Sequence, residues 1–348
     1  MEASVARWAA IVVVLFVVMM GVAVVSTAVG PASISPDKVV LIILSKIPLV
    51  QDHISKTWTV GEESIIINVR LPRVVLGLLI GASLALAGVT TQGIFKNPMA
   101  DPYILGVSSG AAFGASAVIV LGISVLLLSV SITAGAMIGA LAVSFLVFSI
   151  ARTRNKIPVE TLLLSGIAVS AFFSAITSFL MYISGHNLSQ IVFWVMGALW
   201  SSNWNHVLIL TPFLVVASII IYAFARDLNL MLLGDESAAH LGSDVDRVKM
   251  ILLAVSSLLA AAAVSVSGII GFVGLVIPHI MRLIVGPDHR VLIPASALVG
   301  AMFLVLADTF SRMIVQPTEM PVGIVTALIG APFFVYLLIR QKKALRGV

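Results

Sequence analysis

The chain has 348 residues, 60% of them hydrophobic and only 10% charged, with 20 basic against 15 acidic residues for a net charge of +5. A soluble protein of this size carries roughly 25% charged residues, so the composition excludes an ordinary water-soluble domain and places most of the chain in a bilayer. Cysteine is absent, which removes disulfide frameworks and thiolate metal sites. The bases are scattered along the flanks of apolar runs, a pattern of span ends rather than of nucleic-acid binding.

Arg7 precedes an apolar run from Trp8 to Val25, and Ser26-Thr27-Ala28 resembles a cleavage site. The run exceeds the ~7–15 residues of a signal-peptide core and reads as the first span, about 8–29. A long polar stretch, Gly30 to Val69, follows. Segments of the ~20 apolar residues a span needs then recur at about 71–91, 103–122, 125–151, 161–184, 206–225, 248–268, 272–285, 291–308 and 321–339. The expected fold is an all-α integral membrane protein of ten transmembrane helices in a single domain over 1–348. The apolar piece Ile191–Leu199 is too short to cross, and Trp194 and Trp200 suit a headgroup level. The division between the seventh and eighth spans rests on Ser267-Gly268 alone.

Ten spans put both termini on one side. If that side is cytoplasmic, inner loops receive Arg7, Lys96, Arg152, Arg154, Lys156, Arg226, Arg247, Lys249, Arg282, Arg290, Arg340, Lys342, Lys343 and Arg346. Lys38, Lys46, Lys56, Arg70, Arg73 and Arg312 fall outside, and this asymmetry favours cytoplasmic termini in a cell membrane. Gly77, Gly81, Ala85 and Gly88 share a face, and Gly110/Gly114 and Gly135/Gly139 repeat the small-xxx-small spacing of closely packed membrane helices. Pro98 and Pro278 each follow a small-residue span and a glycine pair, which predicts two inverted five-helix repeats.

The missing chemistry narrows the function. No charged residue lies between Asp101 and Arg152, nor within 161–184, 250–278, 291–307 or 320–339. A proton-coupled carrier keeps a titratable group in the membrane; His279, beside Pro278 near a span end, is the nearest candidate and suits a structural role. HExxH, GxSxG and metal-ligand clusters are absent, and so is GxxxxGK[ST]. There is no catalytic residue and no metal site to name. The bundle is therefore passive or takes its energy from elsewhere.

Three segments carry a resemblance: RLPRVVLGLLIGASLALAGVTTQGIFKNPMADPYILGVSSGA over 70–111, GDESAAHLG over 234–242, and SGIIGFVGLVIPHIMRLIVGPDHR through LADTFSRMIVQPTEMPVGIVTALIGAPFFVYLL over 267–338. In order and spacing these are similar to the FecCD family, the permease subunits of type II ABC importers for ferric siderophores, haem and cobalamin. The resemblance implies a homodimer in the bilayer with two cytoplasmic ATPase subunits and an extracytoplasmic substrate-binding protein, and no nucleic-acid partner. It implies no cofactor on this chain; ATP and magnesium belong to the ATPase.

Within that resemblance, the segment around 228–243 forms coupling helices, with Gly234, Asp235, Glu236, Ser237, Ala238, Ala239, His240, Leu241 and Gly242 docking on the ATPase. Physically, Asp235 can cap a short helix, Gly242 can end it in a left-handed conformation, and Ser243-x-x-Asp246 resembles a capping box for the next span. A solvated connecting loop is the plainer reading of the segment alone. Arg70, Arg73 and Arg312 correspond to arginines that meet glutamates of the binding protein, for which a guanidinium's bidentate geometry suits; snorkelling or an Asp308–Arg312 helical pair are the alternatives. Gly166, Ser170, Ser174, Thr177 and Met181 form a small, weakly polar stripe that the resemblance places on the translocation path, though such stripes also serve helix packing. Asn97, Pro98, Asp101 and Pro102 make a rigid turn at the cytoplasmic mouth. The implied cargo is a bulky metal chelate, with an oxyanion such as molybdate as the alternative. An ion-coupled secondary carrier, working without partners on a proton or sodium gradient, is the competing function; an intramembrane enzyme lacks a nucleophile and base.

Overall fold

A computed structural model describes residues 2–30, 34–46, 48, 52, 54–122, 124–125, 128–129, 132–152, 158–315 and 318–345. Arg154, Lys156 and Arg346, counted in the charge asymmetry, lie outside these residues. Apolar runs fold as helices because backbone groups away from water must be satisfied within their own segment. Helix α1 spans Glu2–Ala28. The polar stretch after it is not a plain connection: it holds α2 (Pro36–Leu44), α3 (Val60–Ser64) and a π-helical turn, Ile65–Arg70, that continues directly into α4 (Leu71–Phe95).

This stretch forms a small cap with its own core of Ala28, Ile34, Val39, Ile42, Trp58 and Ile66. Thr59 and Glu62 close a reciprocal capping box at α3, which satisfies two orphan donors at once. Lys38 pairs with Glu62 at 2.9 Å, Lys46 pairs with Glu63, and the Trp58 indole donates to Glu63 at 3.0 Å. Two lysines and two glutamates thus meet across the cap.

A 3-10 turn, Pro102–Leu105, precedes α5 (Val107–Leu121). The helix expected over 125–151 begins later. Ser124–Val125 (β1) and Leu128–Ser129 (β2) pair as a short antiparallel hairpin, and α6 spans Ile132–Ala151. Gly122, with φ 55°, ends α5, and a short apolar run does not distinguish strand from helix by composition. Then follow α7 (Val159–Ile183), α8 (Leu188–Val195), α9 (Trp204–Ala223), α10 (Ala225–Met231), α11 (Asp235–His240), α12 (Val245–Ser267), α13 (Val273–Val285), α14 (His289–Ile314) and α15 (Val322–Leu345).

Among the described residues, seven helical stretches are long and apolar enough to cross a membrane: Ala6–Ala28, Val60–Phe95, Ile132–Ala151, Val159–Ile183, Trp204–Ala223, Val245–Ser267 and His289–Ile314. Val107–Leu121, Val273–Val285 and Val322–Leu337 are apolar but shorter. The bundle centres on α4, whose Leu76, Ile80, Leu84 and Ile94 are buried in the main core. Glycine rows set the closest crossings, as small-xxx-small spacing predicts. A Cβ on Gly88 would stand 1.8 Å from the Gly274 carbonyl oxygen, and one on Gly114 would stand 2.0 Å from that of Gly135.

Candidate functional site

The α10–α11 segment lies at the end of the bundle marked by Lys96. Its polar side chains secure it to three other elements. Asp235 does not cap α11, because the cap position is Gly234, at φ 115°. Instead the Asp235 carboxylate forms an ion pair with Lys96 just past α4, at 2.7 Å, and a second with Lys249 of α12. Burial pushes this carboxyl up, but the hydrogen bonds and charges of Lys249 and Lys96 together hold it below the usual range. Asn229 of α10 completes the attachment. Its amide donates to Asp288 at 2.8 Å, while its oxygen accepts from the backbone N–H and the Nδ1 of His289, both at 2.8 Å. That oxygen cannot donate, so the buried imidazole carries its proton on Nδ1.

The ends of the segment only partly follow expectation. Gly242 has φ 90° and terminates α11 as predicted. Ser243 forms no capping box: its hydroxyl donates to Asp227 at 2.7 Å, and Asp244 caps α12 by accepting from the Arg247 N–H at 3.3 Å. Ala238 is buried against the bundle, whereas Glu236, Ser237, Ala239, His240 and Leu241 are exposed. Leu233 and Leu241 are 66% and 54% exposed on either side of the helix. The result is a short helix fastened by Ala238 and Asp235, with a polar crest between two exposed leucines.

At the opposite end, Arg70, Arg73 and Arg312 come together, yet none projects outward; they are 5%, 8% and 5% exposed. Arg73 donates through Nε and Nη2 to Asp308 and through Nη1 to Glu319 at 2.7 Å. Arg312, inside α14 because that helix runs on to Ile314, pairs with Asp308 and donates to the carbonyls of Val29 and Ser26. Arg70 donates to the carbonyls of Thr27 and Ala28. These four carbonyls close the last turn of α1, where a helix leaves its acceptors unpaired and its dipole favours cations. The expectation of outward-reaching docking arginines thus meets guanidinium groups directed inward, toward internal acceptors.

The Asn97–Pro102 turn slopes from the surface into the interior. Asn97 is exposed and accepts from the Met99 N–H at 2.9 Å; Pro98 and Asp101 are half-buried; Asp101 accepts from the Tyr103 N–H at 2.7 Å; Pro102 is buried beside Gly274. The predicted stripe on α7 does not share an open face. Gly166 lies against the Ile104 carbonyl, and Thr177 is buried with its hydroxyl on the Phe173 carbonyl. Ser170 and Met181 are half-buried, and only Ser174 is exposed. An open apolar groove of about 610 Å³ lies instead beside α15, lined by Met196, Ile269, Gly323, Ala327 and Ala331 among others.

Lys96, Lys249, Asn229 and His289 were missing from the residues expected at this site. Gly286-Pro287-Asp288 did carry a helix-start signal, and Asp288 caps α14 by accepting from the Arg290 N–H. Nothing local to Lys96 or Asn229 announces their partners.

The FecCD transport family profile matches residues 6–340. The chain is 55% identical over 271 residues to the cobalamin import system permease protein BtuC of Halobacterium salinarum, covering 78% of this chain and 72% of that protein. It is 44% identical over 284 residues to the hemin transport system permease protein HmuU of Yersinia pestis, covering 81% and 85% respectively. A solved transporter assigned to the metal-chelate ABC type, in an inward-facing conformation, superposes with a TM-score of 0.80 at 34% identity, covering 95% of this chain and 99% of that one.

Proposed function

The chain belongs to the FecCD transport family, and from that premise we propose that it is the membrane permease of an ATP-driven importer that moves a metal chelate into the cytoplasm by alternating access. The observation that carries this reading is α11, a short helix with an exposed crest at the Lys96 end, bound to α4 and α12 through Asp235. A surface element that must transmit force needs both an exposed face for a partner and stiff attachments behind it. In this reading α11 enters a cleft on a cytoplasmic ATPase, and the Lys96 end with both termini faces the cytoplasm, as the positive-inside bias supports.

The reading comprises ten spans in two inverted five-helix halves, with the shorter α5 and α13 and the apolar part of α15 counted as spans. It also comprises a second copy of the chain, two ATPase subunits and an extracytoplasmic binding protein. Arg70, Arg73 and Arg312 shape the docking face from beneath, by fixing the ends of α1, α4 and α14, rather than by reaching across to the binding protein. The cargo path runs between the two copies, beside α7 and the open groove along α15. Its walls lack fixed charge, so cargo is held weakly and selection falls to the binding protein.

Cobalamin is the first cargo to try, because the 55% identical relative is named as a cobalamin permease; haem, ferric siderophores and an oxyanion such as molybdate follow. The test is uptake in proteoliposomes holding the permease, its ATPase and its binding protein, with labelled cyanocobalamin competed by haemin, a ferric hydroxamate or molybdate. ATP-dependent uptake of one chelate supports the assignment. Uptake of molybdate alone moves it to the oxyanion class, and uptake driven by an ion gradient without ATP refutes it.

A further inference from the structure

Two stretches of non-helical backbone meet inside the bundle. From Lys96 the chain leaves α4, runs through Asn97–Asp101 and makes one 3-10 turn before α5 begins at Val107. From Ser267 it leaves α12 and runs through Gly268–Phe272 before α13 begins at Val273. Helix α4 gives the depth of each. The Ala198 N–H donates to the Ser267 carbonyl, and Leu199 packs on Gly77, toward the Arg70 end of α4. Gly274 packs on Leu84 and Gly88 instead, and Gly88 lies about 10 Å from the Lys96 end at ~1.5 Å per residue. Residues 268–272 therefore descend into the bundle, and α13, only 13 residues long, covers the remaining depth to the Lys96 end.

At their meeting point the Tyr103 hydroxyl donates to the Ile270 carbonyl at 2.9 Å, and the Pro102 ring abuts Gly274. Ile270 is 1% exposed and lies outside any helix. A carbonyl buried away from water must find a donor, and Tyr103 supplies it. Nearby, Pro278 has no N–H to give the Gly274 carbonyl four residues earlier. The Gln92 amide of α4 stands in, 3.4 Å from that oxygen and 3.0 Å from the Leu275 carbonyl. The α12–α13 break and the start of α13 are thus tied to α4 and to the α4–α5 break by side chains that supply missing donors.

We propose that Tyr103 is a positioning residue of the transport cycle, its hydroxyl joining the α4–α5 break to the α12–α13 break so that the two move as one body. The chain of contacts is continuous. Asp235 pairs with Lys96; the Asn97–Asp101 turn follows; Asp101 caps the turn that carries Tyr103; Tyr103 holds Ile270; α13 follows; and Asn229 of α10 grips Asp288 and His289 where α13 gives way to α14. The α10–α11 segment therefore holds both ends of one loop of structure that passes through the interior. A shift of α11 moves the Lys96 turn, and the Tyr103 bond is the hydrogen bond that carries that shift across to residues 268–272, beside the packing of Pro102 on Gly274. The inference rests on the reading of α11 as the element the ATPase moves.

The test is Tyr103→Phe, which removes one oxygen and leaves the ring packing. In the full-length permease alone in nanodiscs, amide exchange over residues 268–272 should rise about tenfold, the expected scale for a lost buried hydrogen bond, while protection of α14 and the melting temperature hold. In proteoliposomes with ATPase and binding protein, ATP hydrolysis should stay within about twofold and uptake should fall about tenfold, lowering cargo moved per ATP. Unchanged exchange over 268–272, or uptake and hydrolysis falling in proportion, overturns the proposal. Failure of the unsubstituted complex to take up cargo with ATP refutes the functional reading instead, and the exchange measurement then still decides whether Tyr103 joins the two breaks.

Discussion

Arg73 holds Asp308 with two prongs, its Nε and Nη2 lying 3.0 and 2.9 Å from the two carboxylate oxygens, and both side chains are almost wholly buried. The same carboxylate pairs with Arg312, so one buried acid is shared by two buried guanidinium groups, with the more exposed Glu319 as a second partner of Arg73. Removing one partner of a buried pair leaves a charge without compensation, at a cost of about 3–5 kcal/mol. Asp308→Asn should therefore lower thermal stability of the purified permease sharply, measured by retention of the monodisperse peak on size exclusion after heating. The triple substitution Arg73→Met, Asp308→Leu, Arg312→Met should recover part of that loss, since it removes the carboxylate together with both guanidinium groups it holds and leaves only the part-exposed Glu319.

Fastening of α1 makes a second prediction. Its apolar side faces outward along most of its length, with Val13, Val14 and Val17 about 60% exposed, and its last carbonyls are held by Arg70 and Arg312. Hydrogen bonds to charged groups contribute about 1.5–3 kcal/mol. Arg70→Ala and Arg312→Ala should each raise amide exchange in the last turn of α1 ahead of the bundle centre. Exchange that rises uniformly across the protein would contradict this local clamp.

The glycines of α1 and α4 should respond in opposite ways to the same methyl group. At Gly88 a Cβ meets the backbone of Gly274, which cannot rotate aside, while at Gly21 no atom lies within 4 Å. Overpacking costs about 1–3 kcal/mol or more, whereas Gly→Ala on an exposed helix gains up to about 1 kcal/mol. Gly88→Ala should lose yield and melting temperature; Gly21→Ala should keep or slightly raise both.

A pH profile isolates the Asp235 link. Its folded carboxyl is held below the ordinary value, so the link's contribution is fully present above the unfolded pKa of about 3.9 and is lost only as pH falls through the lower folded value. Between pH 5 and 8 the cargo moved per ATP should show no step from this pair. Asp235→Asn should lower that ratio several-fold across the whole range, as should Lys96→Ala. A step between pH 5 and 8 that Asp235→Asn abolishes would contradict this.

How much of this could be read in advance depended on where partners lie along the chain. The long apolar runs declared their helices, because satisfaction of the backbone there is local. The small-residue rows at Gly88, Gly110 and Gly114 declared close crossings but not with whom. Ser267-Gly268 marked a break, but its descent into the bundle depends on Gly274 meeting Gly88, a contact no local pattern contains. Asp235 looked like a cap because caps are local, whereas its actual partners, Lys96 and Lys249, come from two other helices. The arginines were legible as a cluster near one end, and the Asp308–Arg312 pair was legible from its four-residue spacing; the carbonyls of Ser26 to Val29 that Arg70 and Arg312 also hold have no side-chain signature. The cap that packs on Ala28, Ile34, Val39, Ile42, Trp58 and Ile66 was hidden because its apolar residues come in short runs between charged ones, too short to declare a span, and their partners lie in other short elements.

The most direct measurement compares two sets of proteoliposomes, one holding the permease alone and one holding it with its ATPase and binding protein, each loaded with ATP and given labelled chelate outside. Accumulation against the gradient only in the complete set, abolished when the exposed Leu233 and Leu241 flanking α11 are both replaced by Glu, is the predicted result. Uphill accumulation by the permease alone would contradict the account.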